Sequence, residues 1–323
     1  MITETASSLS RLFRMREFGL FVIILAICAV MSFASPYFLT WTNARAIVLS
    51  FSVEGIVVIG MTILLIAGGI DLSVGSVVCL AMVIGAWLFL AGLDPWTASV
   101  IAILACGFIG WLMGQIVTRI GLHFFIVSLA VMVITRGLCL LITKGTPLSL
   151  FSLPPSFKFV GQGNLGPLPF VIVIFLILIA VFDLALRRST FFRKVYYTGS
   201  NEKAARFSGI NTNRMKVISA AICSTLAGVA GVVFMARFGA GTPTFGVGME
   251  LSVIAAAVIG GASLNGGSGT IAGAVLGAAL LSLVSSCLIL LDVPVFWQDI
   301  IRGLILLAAV TIDHGLNTRK ARK

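Results

Sequence analysis

An all-α, polytopic integral membrane protein with about ten transmembrane helices is predicted by composition, by the length of the apolar blocks and by the placement of positive charge. Of the 323 residues, 59% are hydrophobic and 10% charged, with a mean hydropathy of +1.14. Soluble domains average about 45–50% apolar and about 25% charged. The apolar residues run in blocks of about 16 to 24, not at the period of a strand or an amphipathic helix, and such blocks span bilayers. The net charge of +11 is concentrated in three places: Arg11, Arg14 and Arg16; Arg187, Arg188, Arg193, Lys194, Lys203, Arg206, Arg214 and Lys216; and Arg319, Lys320, Arg322 and Lys323. Cytoplasmic segments held by the positive-inside rule show this pattern, and a nucleic-acid-binding face does not.

In chain order the spans are placed at 18–35, 45–67, 73–91, 96–118, 122–143, 168–186, 215–236, 248–263, 270–291 and 295–312. Ten crossings that begin in the cytoplasm end there. The segment 1–17, the loop 187–214 and the tail 313–323 then share that side, and 1–323 forms one transmembrane domain. The basic start resembles a signal peptide, yet no A-x-A-like cleavage site follows, so it is expected to stay as the first helix. The block 248–263 is short enough to span or to re-enter. Between spans five and six, "KGTPLSLFSLPPSFKFVGQGNLGP" (144–167) has the Pro and Gly content of an irregular exposed connection. Nothing outside the spans is long enough for a soluble catalytic domain. Cys28, Cys79, Cys106, Cys139, Cys223 and Cys287 all sit in apolar blocks without a C-x-x-C pair, which suggests neither a metal site nor a disulfide framework.

A Gly-rich internal repeat interrupts the spans. Residues 66–86, "IAGGIDLSVGSVVCLAMVIGA", echo residues 258–278, "VIGGASLNGGSGTIAGAVLGA". With Gly68 set on Gly260, the residues Gly69, Leu72, Gly75, Ser76, Val83, Gly85 and Ala86 also match. A shorter echo joins "ITRGLCLL" (134–141) to "IIRGLILL" (300–307) but runs in the opposite direction across the membrane. Gly-interrupted segments in corresponding places mark transport pathways, because open backbone at membrane depth is tolerated only where protein or a water-filled cavity satisfies it. Close helix packing is the alternative use of the same glycines. The expected pathway residues on this reading are Glu54, Gly68, Gly69, Asp71, Ser73, Arg136, Gly260, Gly261, Asn265 and Arg302. Asp71 or Ser73 also suits an N-cap, Glu250 suits a helix N-terminus, and Arg136 and Arg302 could equally snorkel or pair, Arg302 with Asp299.

Glu54 is the one deep carboxylate; His123 and His314 fall near span ends, so ion coupling finds few candidates. No nucleophile–base arrangement points to an intramembrane enzyme, no catalytic residue or cofactor is expected, and no Walker A sequence is present. A pump built on this chain would draw energy from another polypeptide. The place to receive it is "GSNEKAARFSGINTNRMKV" (199–217). Asn201 can cap a short helix, Glu202 favours its positive end, and Gly209 can end it. Ala204 and Ala205 would form one flat docking side, with Lys203 and Arg206 polar. A basic helix lying on anionic lipid is the other reading.

"GSNEKAARFSGI" resembles the cytoplasmic loop of permeases of the ribose/xylose/galactoside class of ATP-binding cassette importers. "AGGIDLSVGS", "FIVSLAVMVITRGL" and "GVGMELSVIAAAVIGGASLNGGSGTIAGAVLGA" resemble three further segments of that family, in the same order along nearly the whole chain. The resemblance implies a multi-pass permease subunit of the bacterial inner membrane, without enzymatic activity of its own. It further implies a second permease subunit, identical or related, and a periplasmic binding protein that delivers a pentose or hexose. Two ATPase subunits would dock at Asn201, Glu202, Ala204, Ala205, Arg206, Ser208, Gly209 and Ile210. An ion-coupled secondary transporter of a small polar solute is the competing expectation.

Overall fold

The structure is a computed structural model and describes residues 16–294 together with 296–298, 300, 301, 303–305, 307, 308 and 311. The helices in chain order are α1 (Arg16–Ala34), α2 (Trp41–Ile66), α3 (Val74–Leu90), α4 (Pro95–Ile120), α5 (Phe124–Thr143), α6 (Pro155–Gln162), α7 (Phe170–Arg188), α8 (Thr190–Ser200), α9 (Glu202–Phe207), α10 (Thr212–Phe238), α11 (Met249–Ile259) and α12 (Ile271–Leu290). Among the described residues seven helices, α1, α2, α4, α5, α7, α10 and α12, are long and apolar enough to cross a membrane. The apolar helices α3 and α11 have only 17 and 11 residues. The expected span 295–312 lies partly outside the described residues. Arg302, Asp299, Arg11, Arg14, His314 and the tail 313–323 lie outside them.

Caps set the ends of the helices. Asp94 accepts from the amides of Trp96 and Thr97 at 3.0 and 3.3 Å, Pro95 takes the first position of α4, and Gly121 leaves it with φ +84°. Thr40 and Thr270 cap α2 and α12 by accepting from the amides of Asn43 and Gly273.

α10 and α2 form the centre. Their membrane windows are 72% and 67% buried within the protein, against 11% for α1 and 22% for α5 and α7. The cause is side-chain size. Ala220, Cys223, Ala227 and Ala230 of α10 are completely buried, and its glycines lie against neighbouring backbone. A Cβ at Gly228 would stand 3.2 Å from the Ile103 Cα of α4, and one at Gly231 would stand 2.7 Å from the Ala81 Cβ of α3. Lipid offers no hydrophobic drive between helices, so close contact along small residues provides the attraction. The periphery instead carries exposed large apolar side chains such as Phe33 and Leu141, 93% and 75% exposed, which water would not tolerate on a monomeric soluble surface.

The segment 144–167 departs from the irregular exposed connection that was expected. It contains β1 (Leu148–Ser149), α6, and half of a hairpin of β2 (Asn164–Leu165) with β3 (Leu168–Pro169). Phe157 is fully buried beside Trp96, and Gln162 donates to the carbonyls of Ala236 and Arg237 at the end of α10. The prolines read as loop signals are helix starters here: Pro154 occupies the cap and Pro155 the first turn of α6. β1 pairs antiparallel with β4 (Ala240–Gly241), with Leu148 opposite Gly241, and this holds the chain that leaves α10.

A Cβ at Gly110 of α4 would stand 2.5 Å from both the Ala220 carbonyl oxygen and the Ser224 Oγ of α10, whereas Gly19 of α1 has nothing within 4 Å. Gly110→Val is expected to destabilise the bundle by about 1–3 kcal/mol. Gly19→Ala should be neutral or gain up to about 1 kcal/mol from helix propensity. Thermal midpoints in detergent should separate the two.

Candidate functional site

The basic loop folds as two helices. α8 was not expected from the sequence, although Phe192, Val195 and Thr198 recur every third residue and are the buried ones. α9 is the expected short helix. The Asn201 side chain accepts from the Ala204 amide at 3.0 Å, and Gly209 follows with φ +77°. Successive residues turn by about 100°, so Ala204 and Ala205 do not share a side. Ala205 is buried, and the outward surface is Lys203, Ala204, Arg206, Phe207 and Ser208, with Phe207 93% exposed. Ile210 is half-buried, and its amide closes the helix on the Ala205 carbonyl at 3.0 Å. Glu202 ties α9 to α10: its carboxylate meets Arg206 at 2.7 Å, Lys216 at 2.6 Å and the Thr212 hydroxyl at 3.2 Å. Burial alone would raise the Glu202 carboxyl, but Lys216, Arg206 and Thr212 outweigh it and hold the group below the usual carboxylate range.

Directly behind α9 three stretches of bare backbone meet. The Gly267 amide donates to the carbonyl of Ile66, the last residue of α2, at 2.9 Å. Gly199, two residues before the α9 cap, lies so close that a Cβ there would overlap that carbonyl oxygen and stand 2.6 Å from the Gly267 nitrogen. A Cβ at Gly266 would fall 3.0 Å from the Gly68 Cα. The Tyr196 hydroxyl of α8 donates to the Gly269 carbonyl at 2.7 Å. Both glycine breaks and the root of α9 thus form one contact at one end of the bundle. Glycine is required because any side chain would separate the backbones.

From this end the chain climbs inward before α3 begins. Ser128 donates to the Ile70 carbonyl at 3.4 Å, and Thr135, seven residues further along α5, donates to the Ser76 Oγ at 2.6 Å. Thr135 stands eleven residues beyond Phe124, the first residue of α5, or about 16 Å along the helix. Ser76 is therefore near the middle of an apolar layer of about 30 Å. Asp71, fully buried on the climb, accepts from the Ser73 amide at 2.7 Å and from its hydroxyl at 2.5 Å. Its second oxygen, Oδ2, is buried without a hydrogen-bond partner.

A further non-helical stretch descends from the opposite end. After α10, Gly241 lies against Met82, Val83 and Ala86 of α3, and Gly246 lies against Gly75 at the start of that helix. Turns fill the interval 243–248. Three carbonyls of 242–245 are satisfied from two helices: Arg136 donates to Pro243 at 3.3 Å and Phe245 at 2.6 Å, and the Cys79 thiol to Thr242 and Pro243 at 3.3 and 3.2 Å. α11 starts there, so the N-termini of α3 and α11 face each other at mid-depth. Glu250, in the first turn of α11, puts its carboxylate against Gly75, where a Cβ would be 2.6 Å from Oε2. Its charge offsets the positive ends of both helices.

Of the expected pathway residues, Asp71, Ser73 and Arg136 collect around this mid-depth meeting point. Gly68, Gly69, Gly260, Gly261 and the exposed Asn265 lie at the bundle end; Glu54 is half-buried in α2 and engaged within the protein. Glu250, Thr135, Cys79 and the 239–248 segment were not singled out as pathway elements. The short α11 was the signal, since 11 residues cover about 16 Å and leave the rest of a crossing to non-helical chain. At the two glycine strings what is shared is the way a helix ends. Gly68 (φ +83°) and Gly261 (φ +99°) both follow an αR cap residue, and the next amides, of Gly69 and Ala262, return to Leu64 and Ala257 at 2.9 Å. That equivalence is one residue out of step with the sequence match of Gly68 to Gly260. The next helices diverge further, with Gly75 inside α3 and Gly267 in a loop.

The profile of the family described as the permease component of branched-chain amino acid transport systems matches residues 43–310. This chain belongs to that permease family. It is 32% identical over 300 residues to the ribose import permease of Bacillus subtilis, covering 93% of both chains. It is 34% identical over 302 residues to the D-allose transport system permease of Escherichia coli K12, covering 92% of this chain and 91% of that one. With the L-arabinose permease of Azospirillum brasilense it shares 33% over 306 residues, 94% and 90% of the two chains. No solved structure matches. Family membership makes α9 and the mid-depth break parts of a permease, although the profile's description names amino acids and these relatives are named for sugars.

Arg136→Met should leave the carbonyls of Pro243 and Phe245 without their charged donor. Hydrogen exchange of 243–249 is expected to rise at least tenfold, with α10 unchanged. For Glu202 the folded value lies below the unfolded one. Its contribution is therefore complete above the unfolded value of about 4.3 and is lost as pH falls through the folded value. Glu202→Gln should cost under about 1 kcal/mol at pH 7, since the pair is partly exposed, and the gap in thermal midpoint from wild type should close below about pH 4.

Proposed function

We propose that this chain is the permease subunit of an ATP-binding cassette importer and carries a monosaccharide, a pentose or hexose, across the bacterial inner membrane. The sugar assignment follows the ribose, allose and arabinose relatives, each aligned over at least 90% of both chains. Two permease subunits enclose the route, two ATPase subunits dock on Asn201–Ile210, and a periplasmic binding protein delivers the sugar. Chemistry resides on the ATPases; the permease itself holds no cofactor. Ten passes are proposed, with both termini cytoplasmic: the seven long helices, α3 with its climb, the 239–248 descent with α11, and 295–312.

The observation that carries the coupling reading is the backbone contact of Gly199 with Ile66 and Gly267. When the ATPases close, a displacement of α9 reaches the end of α2 and the second glycine break without passing through a flexible side chain. From there it travels along 68–76 to the paired N-termini of α3 and α11. Half-helices meeting at mid-depth can separate or rejoin at low cost, because the chain entering α3 bonds to Asp71 and the chain entering α11 bonds to Arg136, and neither bonds to a continuous helix. Alternating access would follow from that motion.

Phe207 is the apolar anchor of the docking surface on this reading. Phe207→Ala is expected to weaken ATPase association by about 2 kcal/mol, roughly thirtyfold, with normal membrane insertion. Unchanged association of both Phe207→Ala and Ala204→Trp would remove α9 as the handle. Reconstituted with its partners, the permease should accumulate sugar only with ATP. Accumulation by the permease alone, driven by an ion gradient, would favour the secondary-transporter reading.

A further inference from the structure

At the end of the bundle that bears α9, a cavity of about 480 Å³ opens beside α8, lined by Glu17, Asp183, Leu186, Arg187, Arg193, Tyr196, Tyr197, Thr270 and Ile271. Its size lies within the range of about 300–1,000 Å³ typical of small-molecule sites. The residues come from four elements: the start of α1, the last turns of α7, α8, and the first turn of α12. Among the described residues the wall carries two carboxylates and two guanidiniums, so the charge they contribute is balanced and a plain anion or cation would meet as much repulsion as attraction. Asp183 and Arg187 bind each other at 2.7 Å, and the Thr270 hydroxyl donates to Glu17 at 2.7 Å. Arg193 is exposed and makes no ion pair among the described residues. The Tyr196 phenol, raised above its usual range by burial and by the nearby Asp183, stays protonated. Two tyrosines at the junction of apolar helices and polar loop are the side chains favoured at a headgroup layer.

The geometry points to a pocket for a zwitterionic phosphoethanolamine group, with the phosphate on Arg193 and the ammonium between Glu17 and Asp183. A ligand with both charges is the class that a balanced wall recognises. The lipid headgroup is its first source, because α1 and α7, which line the cavity, also carry exposed apolar side chains (Phe21, Val22 and Leu25; Val181 and Leu184), and both helices pack on α12. A phosphate on Arg193 makes a charge-assisted bond, and the ammonium supplies N–H donors to the carboxylates. Quaternised choline lacks those donors. The pocket also touches the coupling contact, since Tyr196 lines it and donates to Gly269 of the second break. Occupancy would brace that junction and tune how α9 moves it. This inference rests on the membrane assignment and not on the ATPase-docking reading.

Native mass spectrometry of the full-length permease, released from detergent with graded amounts of phosphatidylethanolamine, phosphatidylcholine or phosphatidylglycerol, tests it. Phosphatidylethanolamine should be retained about tenfold more tightly than the other two, and Arg193→Ala and Glu17→Gln should each remove most of that preference. Retention of all three lipids alike, or an unchanged preference in both variants, overturns the proposal. Both residues lie near the surface, and a thermal midpoint within a few degrees of wild type confirms folding. Binding of soluble phosphoethanolamine with no lipid preference keeps the recognised group and overturns the lipid as its carrier. Failure here leaves ATPase docking untouched, and loss of docking in Phe207→Ala leaves this preference intact.

Discussion

Backbone amides and carbonyls inside a bilayer must find partners within the protein, and this constraint organises the whole chain. Most of the chain meets it by forming long helices. Two stretches, 67–73 and 239–248, do not, and each is surrounded by donors and acceptors from neighbouring helices. Ser128 of α5 serves the first; Arg136 of the same helix and Cys79 of α3 serve the second. One helix therefore services both breaks, through residues 128 and 136. The central position of α10 follows from the same need, because only a helix of small residues lets α2, α3 and α4 come close enough to enclose irregular chain.

The breaks concentrate polar groups where the environment makes them strongest. Asp71 and Glu250 stand by the N-termini of α3 and α11, and the opposed partial charges of helix end and carboxylate are poorly screened in a low-dielectric interior. The Oδ2 of Asp71 is buried without a hydrogen-bond partner. Buried polar atoms left without a bond persist mainly where function repays their cost. The expected capping role is not met: Ser73 holds the N-cap position of α3 without a side-chain cap bond, and Asp71 instead holds the turn into the helix through the Ser73 amide and hydroxyl.

On the proposed reading the relation between α9 and the breaks is mechanical. Side chains hop between rotamers and blur a displacement, whereas contact between main chains transmits it. Gly199 stands where α8 ends and α9 begins, so its lack of a side chain places this loop directly on the end of α2. Phe207 points the other way, from a helix anchored to α10 through Glu202 and Lys216. The same end of the bundle carries the charged cavity beside Tyr196, so signals from a docked partner and from bound lipid would converge on one junction.

Much of this was legible in residues alone. The apolar blocks and basic clusters defined a multi-pass membrane protein, Asn201 and Gly209 bounded α9, and the glycine strings located the breaks at the ends of α2 and α11. Those inferences need only local rules: block length, charge placement, cap chemistry. Other features depend on which segments meet. Ala205 turned inward because α10 lies behind it; α6 formed because Phe157 found Trp96; and Glu250 gained its place between two helix ends only when 239–248 folded back along α3. A sequence can state that a backbone is broken, but the partners of its free amides and carbonyls come from residues tens to hundreds of positions away, so the tertiary structure alone decided where the breaks converge.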